Sequence, residues 1–133
     1  MRLYRNLSTV TAGLSLALFA CLLFVPGAIF MLFGMQGAES AEIMSRRASM
    51  LFLGLAVICW LTRNAEDSVA RRAVSAGLAV AMLGLAGTGL FELGRGAVGP
   101  GVLLAVAAEV AIGSLYARVW LVSRTGSRQG QVT

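Results

Sequence analysis

The chain has 133 residues, of which 58% are hydrophobic and 13% charged, and its mean hydropathy is +0.82. A soluble domain is nearer half apolar and a quarter charged, and one this small has no interior large enough for so much apolar surface, so the chain belongs in a lipid bilayer. The 11 basic residues against 6 acidic ones give +5; all are Arg, scattered at the ends of apolar runs rather than gathered in a nucleic-acid patch, while the absence of His excludes His-ligated haem, the common zinc sites and Ser-His-Asp or Cys-His catalysis.

Four spans are predicted, making an all-α polytopic membrane protein with a four-helix transmembrane bundle over residues 1–122. The helices are placed at about 8–33, 42–63, 72–93 and 100–122, with a flexible polar tail over 123–133. The first apolar run, Ser8 to Phe33, would make ~39 Å of helix, longer than the ~30 Å hydrocarbon core. Pro26-Gly27 lies inside it, and Pro26 frees the Leu22 carbonyl four residues back, so a kink is expected. Ala28 to Phe33 then either completes the span or turns along the surface. Met1 to Ala20 has the outline of a secretory signal and Leu18-Phe19-Ala20-Cys21 that of a lipoprotein processing box, but the apolar run continues through Cys21 to Phe33 and reads as a full span.

The second uncharged run, Ala48 to Thr62, would be only ~22 Å long, too short to cross. Its helix must therefore start near Ala41 or Glu42, where Glu42 and Arg46 stand at i,i+4. That extension carries Arg46 and Arg47 below the membrane surface. The third run, Ala73 to Phe91, is rich in Gly and Ala; the fourth starts at Pro100, a good first-turn residue, and contains Glu109 and Arg118.

The distribution of Arg places both termini in the cytoplasm. Arg2, Arg5, Arg63, Arg71, Arg72, Arg118, Arg124 and Arg128 then lie inside, against Arg46, Arg47 and Arg95 outside. Trp60, Tyr116 and Trp120 fall near the inner helix ends, as an aromatic belt would, and Tyr4 precedes the first helix on the same side. Cys21 and Cys59 differ by ~14 Å in depth, beyond the ~7 Å that a disulfide allows, and read as two buried small side chains. Small residues recur at helical spacing, at Gly13, Ala17, Ala20 and Gly27 in the first helix and at Gly77, Ala81, Gly84 and Thr88 in the third. With Gly54 of the second helix, the latter set marks the expected helix contacts, within one bundle rather than between copies.

Glu109 is the one ionisable group expected near mid-membrane, where such groups are paired or functional. Arg118 lies nine residues on, on the opposite face, and snorkels to the inner surface. Arg47 is the expected partner: it shares a face with Leu51, Gly54 and Ile58, and Gly54 suggests that this face packs inward. The preferred expectation is a buried Glu109–Arg47 clasp that sets helix register. The alternatives are a proton- or substrate-linked carboxyl, and an unpaired Glu109 that donates to the Leu22 carbonyl. Glu92, Arg46 and Tyr116 are secondary polar candidates.

The step from Pro26 to Phe33-Gly34, Arg47-Ala48 leading into Gly54, and Glu109-Val110 in an apolar last helix resemble a bacterial family of uncharacterised four-helix small integral membrane proteins, distantly like the DoxX-type proteins. The resemblance covers roughly Leu14 to Tyr116 and implies a four-helix bundle, with no activity attached. It departs at Ser49-Met50-Leu51, where the family has an aromatic-glycine pair. With little mass outside the membrane and no catalytic set, the expected function is non-catalytic. The chain reads as an accessory or scaffold subunit of the bacterial inner membrane, surrounded by lipid and docked laterally to a larger complex, of respiratory or photosynthetic type, or to copies of itself. No cofactor, metal or nucleic acid is expected. The alternatives are a small dimeric carrier or pore with Glu109 as its intramembrane carboxylate and, behind it, a lipid or quinone enzyme using Glu109, Arg47 and Tyr116.

Overall fold

The computed structural model describes residues 2–129, with side chains as far as residue 123. It is all-helical: α1 (Arg2–Phe24), α2 (Pro26–Leu32), α3 (Glu39–Thr62), α4 (Val69–Gly94) and α5 (Val102–Gln129). α1, α3, α4 and the Val102–Ser123 part of α5 are each long and apolar enough to cross a membrane, so the chain is a multi-pass helical membrane protein. α5 continues in helical form through Gln129, past the expected start of the tail; the rest of that tail, residues 130–133, lies outside the described residues.

Each helix starts and stops for a local reason. α1 begins six residues before its apolar run and ends where Pro26 breaks the hydrogen-bond ladder. Val25 takes φ −138° and ψ 58° there, so the expected kink is a full break. Pro26 then opens the short helix α2, its fixed φ suiting a first turn. α3 starts at Glu39, well before Arg46 as its length required, with Glu39 and Glu42 in the first turn, where the helix dipole favours acids. Glu42 and Arg46 form the i,i+4 ion pair at 3.5 Å. The Ser68 hydroxyl caps α4 by accepting from the Arg71 N–H. Ser68→Ala should lower stability by ~1 kcal/mol, read from the unfolding midpoint in detergent, and Ser68→Asp should restore most of it.

α2 and α4 end in the same way. The Met35 N–H donates to the Phe30 carbonyl and the Gly34 N–H to the Met31 carbonyl; Ala97 and Gly96 repeat the pattern on Glu92 and Leu93. These paired bonds need a left-handed residue at the turn, and Gly34 (φ 65°) and Gly96 (φ 73°) supply it.

The bundle is two helix pairs. α1 packs along α3 and α4 along α5, while α1 and α5 touch over a shorter stretch. The α4/α5 seam depends on two glycines: a Cβ at Gly89 would stand 3.0 Å from a Val106 methyl, and one at Gly113 would stand 2.9 Å from Leu83 Cγ. The pairs meet again at the opposite end of the bundle from Tyr4. There the Gly99 N–H donates to the Phe33 carbonyl at 2.6 Å, and a Cβ at Gly34 would lie 3.2 Å from the Gly99 Cα.

The expected packing stripe is placed differently. Gly77, Ala81, Gly84 and Thr88 are all exposed, and a Cβ at Gly77 or Gly84 would meet nothing within 4 Å. Gly54 is likewise exposed and open. The inward face of α4 is instead Leu78, Ala79, Met82 and Ala86, and that of α3 carries Ser49, Ala56 and Cys59. In lipid the smallest residues need not face inward, because both faces of a helix are apolar and packing alone selects one.

Candidate functional site

Two polar features lie on the inward faces. The first is a cluster at the Tyr4 end of the bundle. Tyr4 and Tyr116 are 1% and 0% exposed and meet edge-to-face with ring centroids 6.4 Å apart. The Tyr116 hydroxyl donates to Ser8 Oγ at 3.3 Å and lies 4.0 Å from Cys59 Sγ. The Tyr4 hydroxyl donates to Thr62 Oγ1 at 3.2 Å, and the Arg71 guanidinium sits 4.6 Å over the Tyr4 ring. All four long helices contribute. Arg71 Nε and Ser75 Oγ are buried there without a hydrogen-bond partner among the described residues, while the Thr11 hydroxyl faces that of Tyr116.

Tyr4 and Tyr116 are thus core residues and not members of an aromatic belt. Trp60 is half exposed, and Arg63 stacks 3.7 Å over its ring while donating to its carbonyl. Cys59 is buried as expected, Cys21 is exposed, and both are free thiols.

The second feature is a cavity of about 440 Å³ between the two helix pairs, walled by Leu14, Leu18 and Leu22 of α1, Ile29 and Leu32 of α2, Phe52 of α3, Met82 and Leu85 of α4, and Ala105, Ala108 and Ile112 of α5. Its polar residues are Glu109, Thr11 and Ser15. Glu109 also lines a smaller neighbouring cavity of about 230 Å³ with Thr88 and Glu92. Ser8, Thr11 and Ser15 stand at i, i+3 and i+7 on the buried stripe of α1, so a line of hydroxyls runs from the tyrosine cluster to the cavity.

The Glu109–Arg47 clasp is not formed: among the described residues Arg47 and Glu109 make no ion pair. Arg47, Leu51, Gly54 and Ile58 are all exposed. They form the outer face of α3, because the α3 residues that meet α1 lie on the Ser49–Cys59 stripe. Glu109 makes no bond to the Leu22 carbonyl either, although both border the larger cavity. Arg46 is held by Glu42 and Glu92 by Arg95 at 3.4 Å, both pairs exposed. Ser49, at the departure from the family pattern, is buried and donates to the Arg46 carbonyl at 2.6 Å.

Two substitutions check this arrangement. Arg47→Met should change stability by less than ~0.5 kcal/mol, as expected away from a packed or paired feature. Its effect should add to that of Glu109→Gln in the double variant, whereas a coupling above ~1 kcal/mol would restore the clasp.

No family model matches the chain, and no curated protein or solved structure is significantly similar to it.

Proposed function

We propose that the chain is a non-catalytic accessory subunit of the bacterial inner membrane, with both termini in the cytoplasm, that docks laterally to a larger membrane complex. The observation that carries this reading is the outer face of α4. Gly77, Ala81 and Gly84 form an exposed small-residue stripe, and a Cβ at Gly77 or Gly84 would meet nothing of the chain's own packing. In lipid such a stripe lets a foreign helix approach backbone to backbone.

The test is co-purification in mild detergent followed by mass spectrometry, comparing the native chain with Gly77→Ile and Gly84→Ile. A stoichiometric larger partner, lost in both variants while the monomer stays folded, supports docking. Recovery of a homodimer alone removes it. Reporter fusions at Gly37 and Thr133 should report opposite sides of the membrane; a periplasmic signal at Thr133 overturns the orientation.

One observation favours the second reading, a small carrier. Glu109 is a carboxyl within a membrane span, bordering a cavity that no Arg among the described residues lines, and intramembrane acids of this kind mark transport pathways. Flux across proteoliposomes, lost with Glu109→Gln, is its test.

A further inference from the structure

We infer that Arg71 holds the phosphate group of an anionic phospholipid at the Tyr4 end of the bundle. Arg71 is only 8% exposed. It stands two residues before Ala73, where the uncharged run of α4 begins, so it lies within ~3 Å of the hydrocarbon boundary, at headgroup depth.

An anion is called for because the chain supplies none. A guanidinium keeps its proton inside proteins, and a buried charge is costly unless it is paired. All 6 acidic side chains of the chain are among the described residues. Glu42 pairs with Arg46, Asp67 with Arg72 and Glu92 with Arg95, and among the described residues no carboxylate pairs with Arg71.

The donors are unmet as well as the charge. The guanidinium carbon sits 4.6 Å over the Tyr4 ring, so the ring covers its face and leaves the N–H groups at its edge. Nε is enclosed without a partner. The terminal nitrogens are not enclosed with it, and their fork of N–H groups matches two oxygens of a phosphate. The choice of a lipid with net negative charge follows from the end as a whole. It carries Arg2, Arg5, Arg63 and Arg72 besides Arg71, against Glu66 and Asp67, whereas the far end balances Arg46, Arg47 and Arg95 with Glu39, Glu42 and Glu92. An excess of Arg at one membrane face attracts anionic lipid, and of the Arg residues there Arg71 is the buried one. The inference depends on neither lateral docking nor the carrier reading.

The test uses the full chain in dodecylmaltoside at raised salt, which screens exposed charges. The probes are dioleoylphosphatidylglycerol and its zwitterionic counterpart dioleoylphosphatidylcholine, and affinity is read from the rise of the unfolding midpoint with lipid concentration. Phosphatidylglycerol should bind about tenfold tighter than phosphatidylcholine, and Arg71→Gln should remove about that factor, as expected for hydrogen bonds to a charged group. The double variant Arg2→Gln, Arg5→Gln, which removes two exposed charges, should change the affinity by less than about threefold. Native mass spectrometry of the unsubstituted chain is an independent check: one phosphatidylglycerol should stay bound where phosphatidylcholine is stripped. Equal affinity of the native chain for the two lipids, or a loss in the double variant as large as that in Arg71→Gln, overturns the assignment. Displacement of the lipid by inorganic phosphate at matching concentration overturns the lipid as the source of the phosphate.

Discussion

Tyr116→Ala should destabilise the bundle by close to 3 kcal/mol, the lower end of the ~3 to 5 kcal/mol found for removing a buried aromatic side chain. Tyr116 is wholly buried, and its ring closes the junction of the two helix pairs against Tyr4. The lower end applies because the unfolded helices still sit in lipid, so the gain from leaving water is absent and the loss is one of packing contacts. Tyr116→Phe keeps the ring and removes only the hydroxyl contacts to Ser8 and Cys59. A side-chain hydrogen bond within a membrane is worth ~0.6 kcal/mol on average, so this variant should lose about that much. The measurement is the unfolding midpoint in mixed micelles of increasing denaturing-detergent content. A Phe variant as weak as the Ala variant would mean that the hydroxyl network, and not the ring packing, holds the junction.

Glycine substitutions should divide sharply by position. Gly113→Val places its Cβ 2.9 Å from Leu83 Cγ and 3.1 Å from Met82 Cβ, so α4 and α5 must separate. Overpacking of this kind costs ~1 to 3 kcal/mol. Gly101→Ala should be comparably damaging, because its Cβ would overlap the Leu32 carbonyl, which is backbone and cannot swing aside. Gly84→Val meets nothing within 4 Å, and the isolated chain should keep its stability to within ~0.5 kcal/mol. The same micelle titration separates the cases. A Gly84 variant that weakens the isolated chain would contradict the outer placement of that stripe.

These contrasts show where the sequence was readable. Span number and the early start of α3 followed from lengths: a 15-residue uncharged run cannot cross, and Glu39 and Glu42 offered the extension. The direction in which each helix faces was harder, because lipid gives no polar side to serve as a reference. Gly54, Gly77 and Gly84 looked like contacts by spacing alone, yet the contacts formed at Gly89, Gly101 and Gly113. Arg47 inherited the wrong face from Gly54, and the clasp with Glu109 followed from that step. The signal that would have located the inner face was polar. Tyr4, Ser8, Thr11 and Ser15 fall on one stripe of α1, and hydroxyls that are costly in hydrocarbon turn toward each other. Glu109 was identified from depth alone, but the cavity in front of it depends on how two helix pairs splay, which no local pattern encodes.

The division into α1/α3 and α4/α5 has a consequence for how the protein is made. Each pair has its own seam, and the link between them, residues 63–68, is a short stretch outside both helices. Helices that are stable across a bilayer assemble there in a second step, so the N-terminal hairpin can leave the translocation machinery and wait. Residues 1–66 and 67–133, co-expressed as separate polypeptides, should therefore find one another in the membrane and rebuild the tyrosine junction, with Tyr116→Ala in the second fragment abolishing their co-purification.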